Sequence, residues 1–514
     1  MADSKREIER KYEATPDTRL PDLTKVAGVS AVTHHGVTEL DAVYYDTADL
    51  RLAADSLTLR RRTGGADEGW HLKFPVSSGI RDEIRAPLAD TLPHSLAGLL
   101  RSRVRDEDVT PVVRLLSARD VHHLVDEGGT FLAELSIDEV LAQRLTEEGG
   151  GPTAVWTEIE VELADDGDPA FLDAVERRLR KAGVKPSASA SKLARALTET
   201  GVRPAGPAQR PAKKKRKPPP PTAGDHVLDY VREQVEAVIT LDPAVRRDLP
   251  DSVHQMRVAT RRLRSAFKTY RKILDRTVTD PVGEELKWLA AELGVDRDQE
   301  VLDARFHAAT ADLSRTLLLG PVRSRLRLWS VARRTGSRRR IVAVLDGKRY
   351  LSLLESLDAL LAAPPLRPAA AKPPRDALPR AVLKDYERLA TRVGHALEQP
   401  PGRDRDLAMH EARKAAKRAR YAGEAARPAL GKAAKRFAKR MKAVQKVLGE
   451  HQDSVVARDA LRALAIQAHA AGEPSFTWGL LYGQEQATAA EKERELPGVW
   501  ARASEPDVRS ALKG

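Results

Sequence analysis

Glu7-Ile8-Glu9-Arg10-Lys11 is the stretch from which the fold is read. As a strand it alternates: Glu7, Glu9 and Lys11 share one face, and Ile8, Arg10 and Tyr12 the other. Two carboxylates and an ammonium then project side by side. Carboxylate pairs hold a hard cation such as Mg²⁺, and a nearby lysine takes a phosphate oxygen. One such fragment also describes a solvated edge strand, so the reading depends on whether later strands repeat it.

They do. Leu59-Arg60-Arg61-Arg62 sets Arg60 and Arg62 on one face, and Trp70 to Phe74 sets Lys73 opposite Trp70, Leu72 and Phe74. Arg81, Glu83 and Arg85 share a face. From Phe131 to Val140, Glu134, Ser136 and Asp138 alternate with Ala133, Leu135 and Ile137. Glu158, Glu160 and Glu162 oppose Ile159, Val161 and Leu163. A sheet facing water on one side also alternates, but its charges are normally mixed. Here some strand faces are wholly acidic and others basic. That segregation suits a closed barrel with a charged lumen and apolar faces outward under helices. A polyanion carrying divalent cations would satisfy both sets of side chains.

The order and spacing of these residues resemble the CYTH family, the triphosphate tunnel metalloenzymes. The match runs through Glu7-x-Glu9-x-Lys11, Tyr44-Tyr45-Asp46-Thr47, Leu59-Arg60-x-Arg62, Lys73, Arg81-x-Glu83, Arg119, Asp138, Glu158-x-Glu160 and Ser191-Lys192. The resemblance implies an eight-stranded antiparallel barrel that hydrolyses triphosphates or polyphosphate, or cyclises ATP, with Mg²⁺ or Mn²⁺. It implies that Glu7, Glu9, Glu158 and Glu160 carry the metal, with Glu160/Glu162 the alternative to Glu158/Glu160. Lys11, Arg60, Arg62, Lys73, Arg81, Arg119 and Lys192 would grip phosphates, beside Glu83, and Asp138 would stand near a second metal or the water. Arg114 competes with Arg119 for its role. Arg85 is read either as a lumen residue or as a solvated strand residue.

The chain has 514 residues, more than one ordinary core. It has no cysteine, which excludes disulfides, thiolate metal sites and cysteine nucleophiles. Neither an apolar leader nor a run of membrane-spanning length is present, so a soluble, cytoplasmic protein is expected. The net charge of +13 is unevenly spread: residues 1–200 hold 26 Lys and Arg against 36 Asp and Glu, so −10, and the remainder carries +23. One part supplies acidic metal ligands; the other looks built for polyanions. The reading is therefore α+β, with a barrel domain at 1–202, a linker at 203–222 and a helical domain at 223–510.

Residues 203–222 are rich in Pro and Ala and contain Lys213-Lys214-Lys215-Arg216-Lys217. This is read as a basic linker, with a nuclear address or nucleic-acid patch as alternatives. Beyond it lies an internal repeat. His254-Gln-Met-Arg257-Val-Ala-Thr-Arg261-Arg262-Leu-Arg264 aligns with His410-Glu-Ala-Arg413-Lys-Ala-Ala-Lys417-Arg418-Ala-Arg420. Leu293-Gly294-x-x-x-Asp298 aligns with Leu448-Gly449-x-x-x-Asp453 at nearly the same offset. Two similar helical units are expected, split near 364–378.

The repeated helix carries one basic stripe: His254, Arg257, Arg261, Arg264 and Lys268, and then His410, Arg413, Lys417 and Arg420. A further stripe runs through Lys432, Lys435, Lys439, Lys442 and Lys446. Rows of like charge cost about 0.2–0.5 kcal/mol per adjacent pair unless an anion is present. These features, with both Leu-Gly pairs read as turns, resemble the CHAD family, a histidine-bearing helical domain often fused to CYTH; the resemblance implies two four-helix bundles that bind inorganic polyphosphate and occur with polyphosphate granules. The resemblance places His254, Arg257, Arg261, Arg264, His410, Arg413, Lys417 and Arg420 on phosphates, and the stripe alone adds Lys435, Lys439 and Lys442. Helix-end or core roles remain open for His254 and His410.

The whole chain is thus read as a metal-dependent triphosphatase or polyphosphatase with a polyphosphate-binding domain. Its rivals are a non-enzymatic granule-binding protein and an ATP cyclase. A nucleic-acid binder is disfavoured, because aromatics for base stacking make up only 4% of the chain.

Overall fold

In the barrel the chain closes on itself through its first strand. The computed structural model describes residues 3–146, 149–202, 220–334 and 337–513, with the side chains of 3, 295–300, 332–334 and 337 not described. The tract Lys213 to Lys217 and the Asp298 side chain lie outside the described residues. Two compact units emerge, Met1–Lys215 and Arg216–Gly514.

The first unit contains β1 (Asp3–Ala14), β2 (Ala31–Asp46), β3 (Thr58–Thr63), β4 (Gly69–Ser77), β5 (Ile80–Ala86), β6 (Thr110–Val125), β7 (Phe131–Thr146) and β8 (Gly149–Leu163). They pair antiparallel in the order β5-β4-β3-β2-β6-β7-β8-β1, and β1 returns to β5. The first half of β1 pairs with β5 and sets Glu7 opposite Arg81. The second half pairs with β8 and sets Glu9 opposite Glu162 and Lys11 opposite Glu160. Closure through one strand removes every long open edge, as a twisted sheet requires. A short β9 (Lys185–Pro186) adds to β1.

Four helices attend the barrel: α1 (Arg51–Ala54), α2 (His94–Val104), α3 (Ala170–Lys181) and α4 (Lys192–Glu199). Trp70, Leu72 and Ile84 pack outward against Leu96, Leu99 and Leu100 of α2. Leu135, Ile159 and Val161 pack outward against Leu172, Val175 and Leu179 of α3. These are the outward apolar faces that the alternation predicts. The inner wall is not charged throughout. Val113, Leu115, Val140, Ala142 and Trp156 share the alternation of the lumenal charges, yet they form a core with Leu193, Ala196 and Leu197 of α4. Helix α4 therefore plugs one end of the lumen with apolar surface. Its first residue, Lys192, is left facing the charges.

The second unit is helical: α5 (Ala223–Arg246), α6 (Ser252–Thr269), α7 (Arg276–Glu292), α8 (Gly294–Asp312), α9 (Val322–Arg334), α10 (Ser337–Asp346) and α11 (Lys348–Ala362) make up the first repeat. The second repeat has α12 (Pro374–Glu398), α13 (Arg403–Ala425), α14 (Arg427–Ala470) and α15 (Phe476–Ala503), followed by α16 (Pro506–Ser510). Helix α6 corresponds to α13, and α7 with α8 to the single long α14. Leu448-Gly449 is not a turn but lies within α14, whereas Leu293 is the single turn residue where α7 meets α8, and it keeps right-handed helical angles.

The repeats share one core rather than building two. Met256, Leu263 and Phe267 of α6 join Met409, Ala412 and Ala416 of α13 and Phe437 and Met441 of α14 in one buried cluster. Small alanines along α13 let its neighbours approach closely. A smaller cluster lies between α8, α9 and the adjoining parts of α14 and α15, through Phe306, Leu326, Leu461 and Trp478. Among the described residues no helix is long and apolar enough to cross a membrane.

Phe437 is fully buried in the shared core, edge-on to Tyr386 of α12. Phe437→Ala is expected to cost about 3–5 kcal/mol. A denaturant titration should show that loss in one transition spanning both repeats; two separate transitions would contradict the shared core.

Candidate active site

The lumen of the barrel is a cavity of about 410 Å³, and its polar wall is built by the alternation of the strands. Glu7, Glu9 and Lys11 of β1 line it, with Arg60 and Arg62 of β3, Lys73 of β4, Arg81 and Arg85 of β5, Arg119 of β6, Glu160 and Glu162 of β8, and Lys192 of α4. Arg114 does not compete with Arg119. Five residues earlier on β6, it is on the opposite face, exposed, and donates to Asp41 at 3.0 Å.

Three predicted residues stand behind this wall. Glu83 is fully buried and gathers cations: His71 Nδ1 lies at 2.8 Å, Lys73 Nζ at 3.4 Å and Arg60 Nη2 at 3.7 Å, with Arg85 also bonded. Asp138, fully buried, receives both arms of Arg119, at 2.7 and 2.9 Å. Glu158 accepts from Trp156 Nε1 at 2.7 Å and meets Lys192 Nζ at 2.8 Å. Glu158 thus backs the lumen, while Glu160 and Glu162 line it. Glu162 is held by Lys5 at 2.8 Å.

The carboxylates and cations form one network. Lys192 reaches Asp138 at 2.9 Å and also pairs with Glu160. Arg119 donates to Glu160 at 2.7 Å, and Lys11 pairs with both Glu160 and Glu9. Lys73 pairs with Glu7. Arg81 donates to the carbonyl of Ala190 at 2.6 Å, just before α4. Burial raises the cost of every charge, and in most cases partners reverse it. Against burial, Lys11 and Lys192 hold Glu160 well below the usual carboxylate range. Arg119 and Lys192 do the same for Asp138, and Lys11 for Glu9.

Two groups escape this balance, in opposite senses. Burial, aided by nearby Glu83 and Glu162, pushes the Glu7 carboxyl up to about 7 despite Lys73. Burial with neighbouring Arg60 and Arg119 pulls the Arg62 guanidinium down to about 10. For each, burial and like-charged neighbours outweigh the partner it has, Lys73 for Glu7 and Asp67 for Arg62. Asp138, Glu158 and Glu160 also offer oxygens within 4.8 Å of one another. An all-oxygen donor set suits a hard divalent cation, so the residues present fit Mg²⁺ or Mn²⁺.

Several residues that complete this site were not expected. His71 shares the Lys73 face and lies inward on Glu83; the alternation already placed it there. Tyr44 is hydrogen-bonded to Arg60, and although burial would raise the phenol, that partner brings it below its ordinary value. Asp67, in the Gly-rich connection after β3, pairs with Arg62 and Arg85, and no periodicity marks it.

In the helical unit the basic stripes of α6 and α13 converge. Lys417 is pulled down to about 7 by burial and by Arg413, Arg261 and Arg257. Burial and Arg257 and Arg413 likewise lower Arg261, even with Tyr421 against it. Among the described residues neither Lys417 nor Arg261 has an ion-pair partner. The two repeated glycines differ here. A Cβ on Gly294 would sit 3.1 Å from Arg257 Nη2, and one on Gly449 3.8 Å from Arg413 Nε. Gly294 thus makes room for the stripe arginine of its repeat, whereas a Cβ on Gly449 would meet Arg413 only in ordinary contact, and Arg257 donates to the Gly294 carbonyl at 3.3 Å.

The remaining stripe residues differ in their tethers. Arg264 lines a second cavity of about 480 Å³ with Lys268, Arg271 and Arg418. Arg420 is tied to Glu424 at 2.8 Å and Gln445 at 3.0 Å. His254 and His410 are half-buried, and His410 Nδ1 lies 2.6 Å from Gln452 Oε1. Lys435, Lys439 and Lys442 are exposed on α14, with no described contact to the α6 stripe. His451 is fully buried between Asp406 and Glu493, at 3.3 and 3.5 Å.

A closed barrel with a lumen of paired carboxylates and cations defines a tunnel-type phosphate-handling protein. Comparison with known families agrees. Residues 5–197 match the CYTH domain and residues 229–462 the CHAD domain. The chain belongs to the CYTH family, with a CHAD domain following. Membership supports a triphosphate-tunnel activity that uses a divalent metal, as a phosphoanhydride hydrolase or cyclase. Two Mycobacterium tuberculosis proteins, of strains H37Rv and CDC 1551 and both named only as uncharacterized, are 39% identical over 525 residues, covering 98% of this chain and 97% of each relative. Among solved structures, PptA from Streptomyces chartreusis aligns with 55% of this chain and 99% of its own, at 20% identity and a TM-score of 0.46. A Hippeastrum candidate adenylyl cyclase, titled as having a dominant triphosphatase activity, aligns with 38% of this chain and 97% of its own, at 20% identity and a TM-score of 0.22.

The raised Glu7 carboxyl carries a stability consequence. Between about pH 4.5, its ordinary value, and about pH 7, the folded chain keeps a proton that the unfolded chain has released. Barrel stability from this group therefore falls as pH rises through that window. Glu7→Gln removes the cost while Lys73 keeps Glu83. Without metal the variant should unfold a few degrees higher than wild type at pH 8, and the gap should close near pH 5. Thermal unfolding at both pH values decides it; a variant less stable at pH 8 would refute the assignment.

Proposed function

We propose that the barrel hydrolyses a phosphoanhydride bond of inorganic triphosphate or polyphosphate, and that the helical unit binds the polyphosphate chain. The observation that carries this is the opposed imbalance of the lumen: the Glu7 carboxyl is raised despite Lys73 and the Arg62 guanidinium is lowered despite Asp67, both at one cavity. A triphosphate with a divalent cation would relieve both at once.

Glu7, Glu9, Glu158 and Glu160 would hold Mg²⁺ or Mn²⁺, which neutralises phosphate charge and activates water when bound. The basic residues do the rest. Arg60, Arg62, Lys73 and Arg81 grip one side of the phosphate chain; Lys11, Arg119 and Lys192 grip the other. In the free site these cations are engaged by carboxylates, so they are preorganised and need no rearrangement from water. Glu83 and Asp138 position Lys73, Arg60 and Arg119 and do not touch the phosphate. The apolar plug of α4 closes the lumen behind Lys192, which keeps water off one end and strengthens each charge interaction.

In the helical unit, Arg257, Arg261, Arg413 and Lys417 form a half-buried basic cluster, with Asp453 3.4 Å from Arg413, whose excess positive charge an anion would relieve. His254, Arg264, His410 and Arg420 extend it, and Lys435, Lys439 and Lys442 add exposed positive charge. Phosphates would be held by charge-assisted hydrogen bonds. This reading would place the protein in the cytoplasm, in contact with polyphosphate granules.

Glu160→Gln should lower phosphate release from inorganic triphosphate by about 100-fold or more, because Lys11, Arg119 and Lys192 lose their shared partner and the metal a ligand. Arg257→Glu/Arg264→Glu should leave that turnover unchanged but weaken long-chain polyphosphate binding about tenfold or more and flatten its salt dependence. Unchanged turnover in the first variant would sink the site. Unchanged polyphosphate binding in the second would reduce the stripes to solvated surface.

A further inference from the structure

Two histidine pairs, His34-His35 and His122-His123, face each other across β2 and β6, with His34 opposite His122 in register. A β-bulge falls between His34 and Gly36, where Gly36 takes a φ of +88° that favours glycine. It changes the alternation of β2. After it, Thr38 and Leu40 line the lumen; before it, His35 does. On β6, Arg119 and Val121 line the lumen, so Asp120 and His122 point outward. The bulge thus sorts the histidines: His35 and His123 inward, with ring centroids 3.8 Å apart, and His34 outward beside Asp120 and His122.

The outward group is compact. His34 Nε2 lies 2.6 Å from Asp120 Oδ1, and His122 Nε2 lies 3.2 Å from Asp120 Oδ2. Each imidazole therefore points its Nε2 at a different oxygen of one carboxylate. All three ligand atoms fall within 4.8 Å of one another, and the imidazole rings are 5.0 Å apart. The His34 side chain is 58% exposed, so water or a further ligand has access. Neither Lys nor Arg pairs with Asp120 among the described residues, unlike every carboxylate of the lumenal trio. A cation here displaces only imidazole protons, not a competing ammonium.

We propose that His34, Asp120 and His122 form a second metal site, on the outer wall of the barrel, for a borderline transition-metal ion of the Zn²⁺ or Co²⁺ class. Two imidazoles and one carboxylate select such ions over Mg²⁺, whose preference is for oxygen donors. The site differs from the lumen in donor chemistry and in face, and it does not depend on what the lumen hydrolyses. Bound metal would clamp β2 to β6 across the bulge and stabilise the barrel by mass action.

The test uses the full-length protein with Mg²⁺ in large excess, to saturate oxygen-donor sites, and Co²⁺ as the probe. One Co²⁺ per chain should bind, with visible d–d absorption, and Zn²⁺ should displace it and raise the melting temperature. His34→Gln/His122→Gln should abolish the absorption and the melting shift, and Asp120→Asn should weaken binding about tenfold or more. His35→Gln/His123→Gln, on the inner face, should leave both intact. Absence of Co²⁺ uptake by wild type would overturn the proposal. So would uptake that survives His34→Gln/His122→Gln or is lost in the inner pair. Circular dichroism of the metal-free variants, matched to wild type, keeps the comparison on binding rather than folding.

Discussion

The barrel depends on one constraint: charges buried in its lumen must be compensated by one another until a ligand takes their place. Closure through β1 enforces this. Its first half brings Glu7 against Arg81 of β5, and its second half brings Lys11 against Glu160 of β8. Around that seam Lys192, Arg119 and Lys73 tie the carboxylates together. Buried pairs of this kind seldom add stability, because desolvation offsets attraction. Their retention makes sense as preorganisation. The compensation is least complete at Glu7 and Arg62, where burial outweighs Lys73 on one side and Asp67 on the other. The α4 plug belongs to the same design, since it closes the lumen with apolar packing and delivers Lys192 to Asp138, Glu158 and Glu160.

The helical unit meets an allied constraint with a different device. There positive charge is in excess. Arg257, Arg261, Arg413 and Lys417 are brought together by α6 and α13, with Asp453 3.4 Å from Arg413, and burial together with these neighbours lowers Lys417 toward neutrality. Gly294 contributes to this crowding, since a Cβ there would press on Arg257. The shared core of the two repeats fixes the separation of the stripes.

Much of this was legible in the sequence, for a definite reason. Period-two alternation reports which strand face a residue occupies, so Glu7, Arg60, Lys73 and Glu160 could be placed on lumenal faces without coordinates, whereas Arg119 came only from the family resemblance. Period-3.6 spacing did the same for Arg257, Arg261 and Arg264. Alternation does not report depth. It could not separate Glu160 at the lumen surface from Glu158 behind it, nor show that the same inner face turns apolar at Val113, Val140 and Trp156. Loops carry no period, so Asp67 was invisible. The Leu-Gly pairs looked like turns because glycine often ends helices; only the packing of Arg257 shows that Gly294 serves close approach. The bulge before Gly36, which turns His35 inward and His34 outward, likewise cannot be read from alternation, which it interrupts.

We propose that the lumen's opposed charges hold a metal-bound triphosphate during hydrolysis. Phosphorus NMR of the full-length protein incubated with inorganic triphosphate, and separately with ATP, in Mg²⁺, Mn²⁺ and chelator, tests this. Orthophosphate and pyrophosphate should form from triphosphate with metal, with no turnover in chelator and no cyclic nucleotide from ATP. Release that persists in chelator, no release with either metal, or cyclic AMP as the main product of ATP would contradict the proposal.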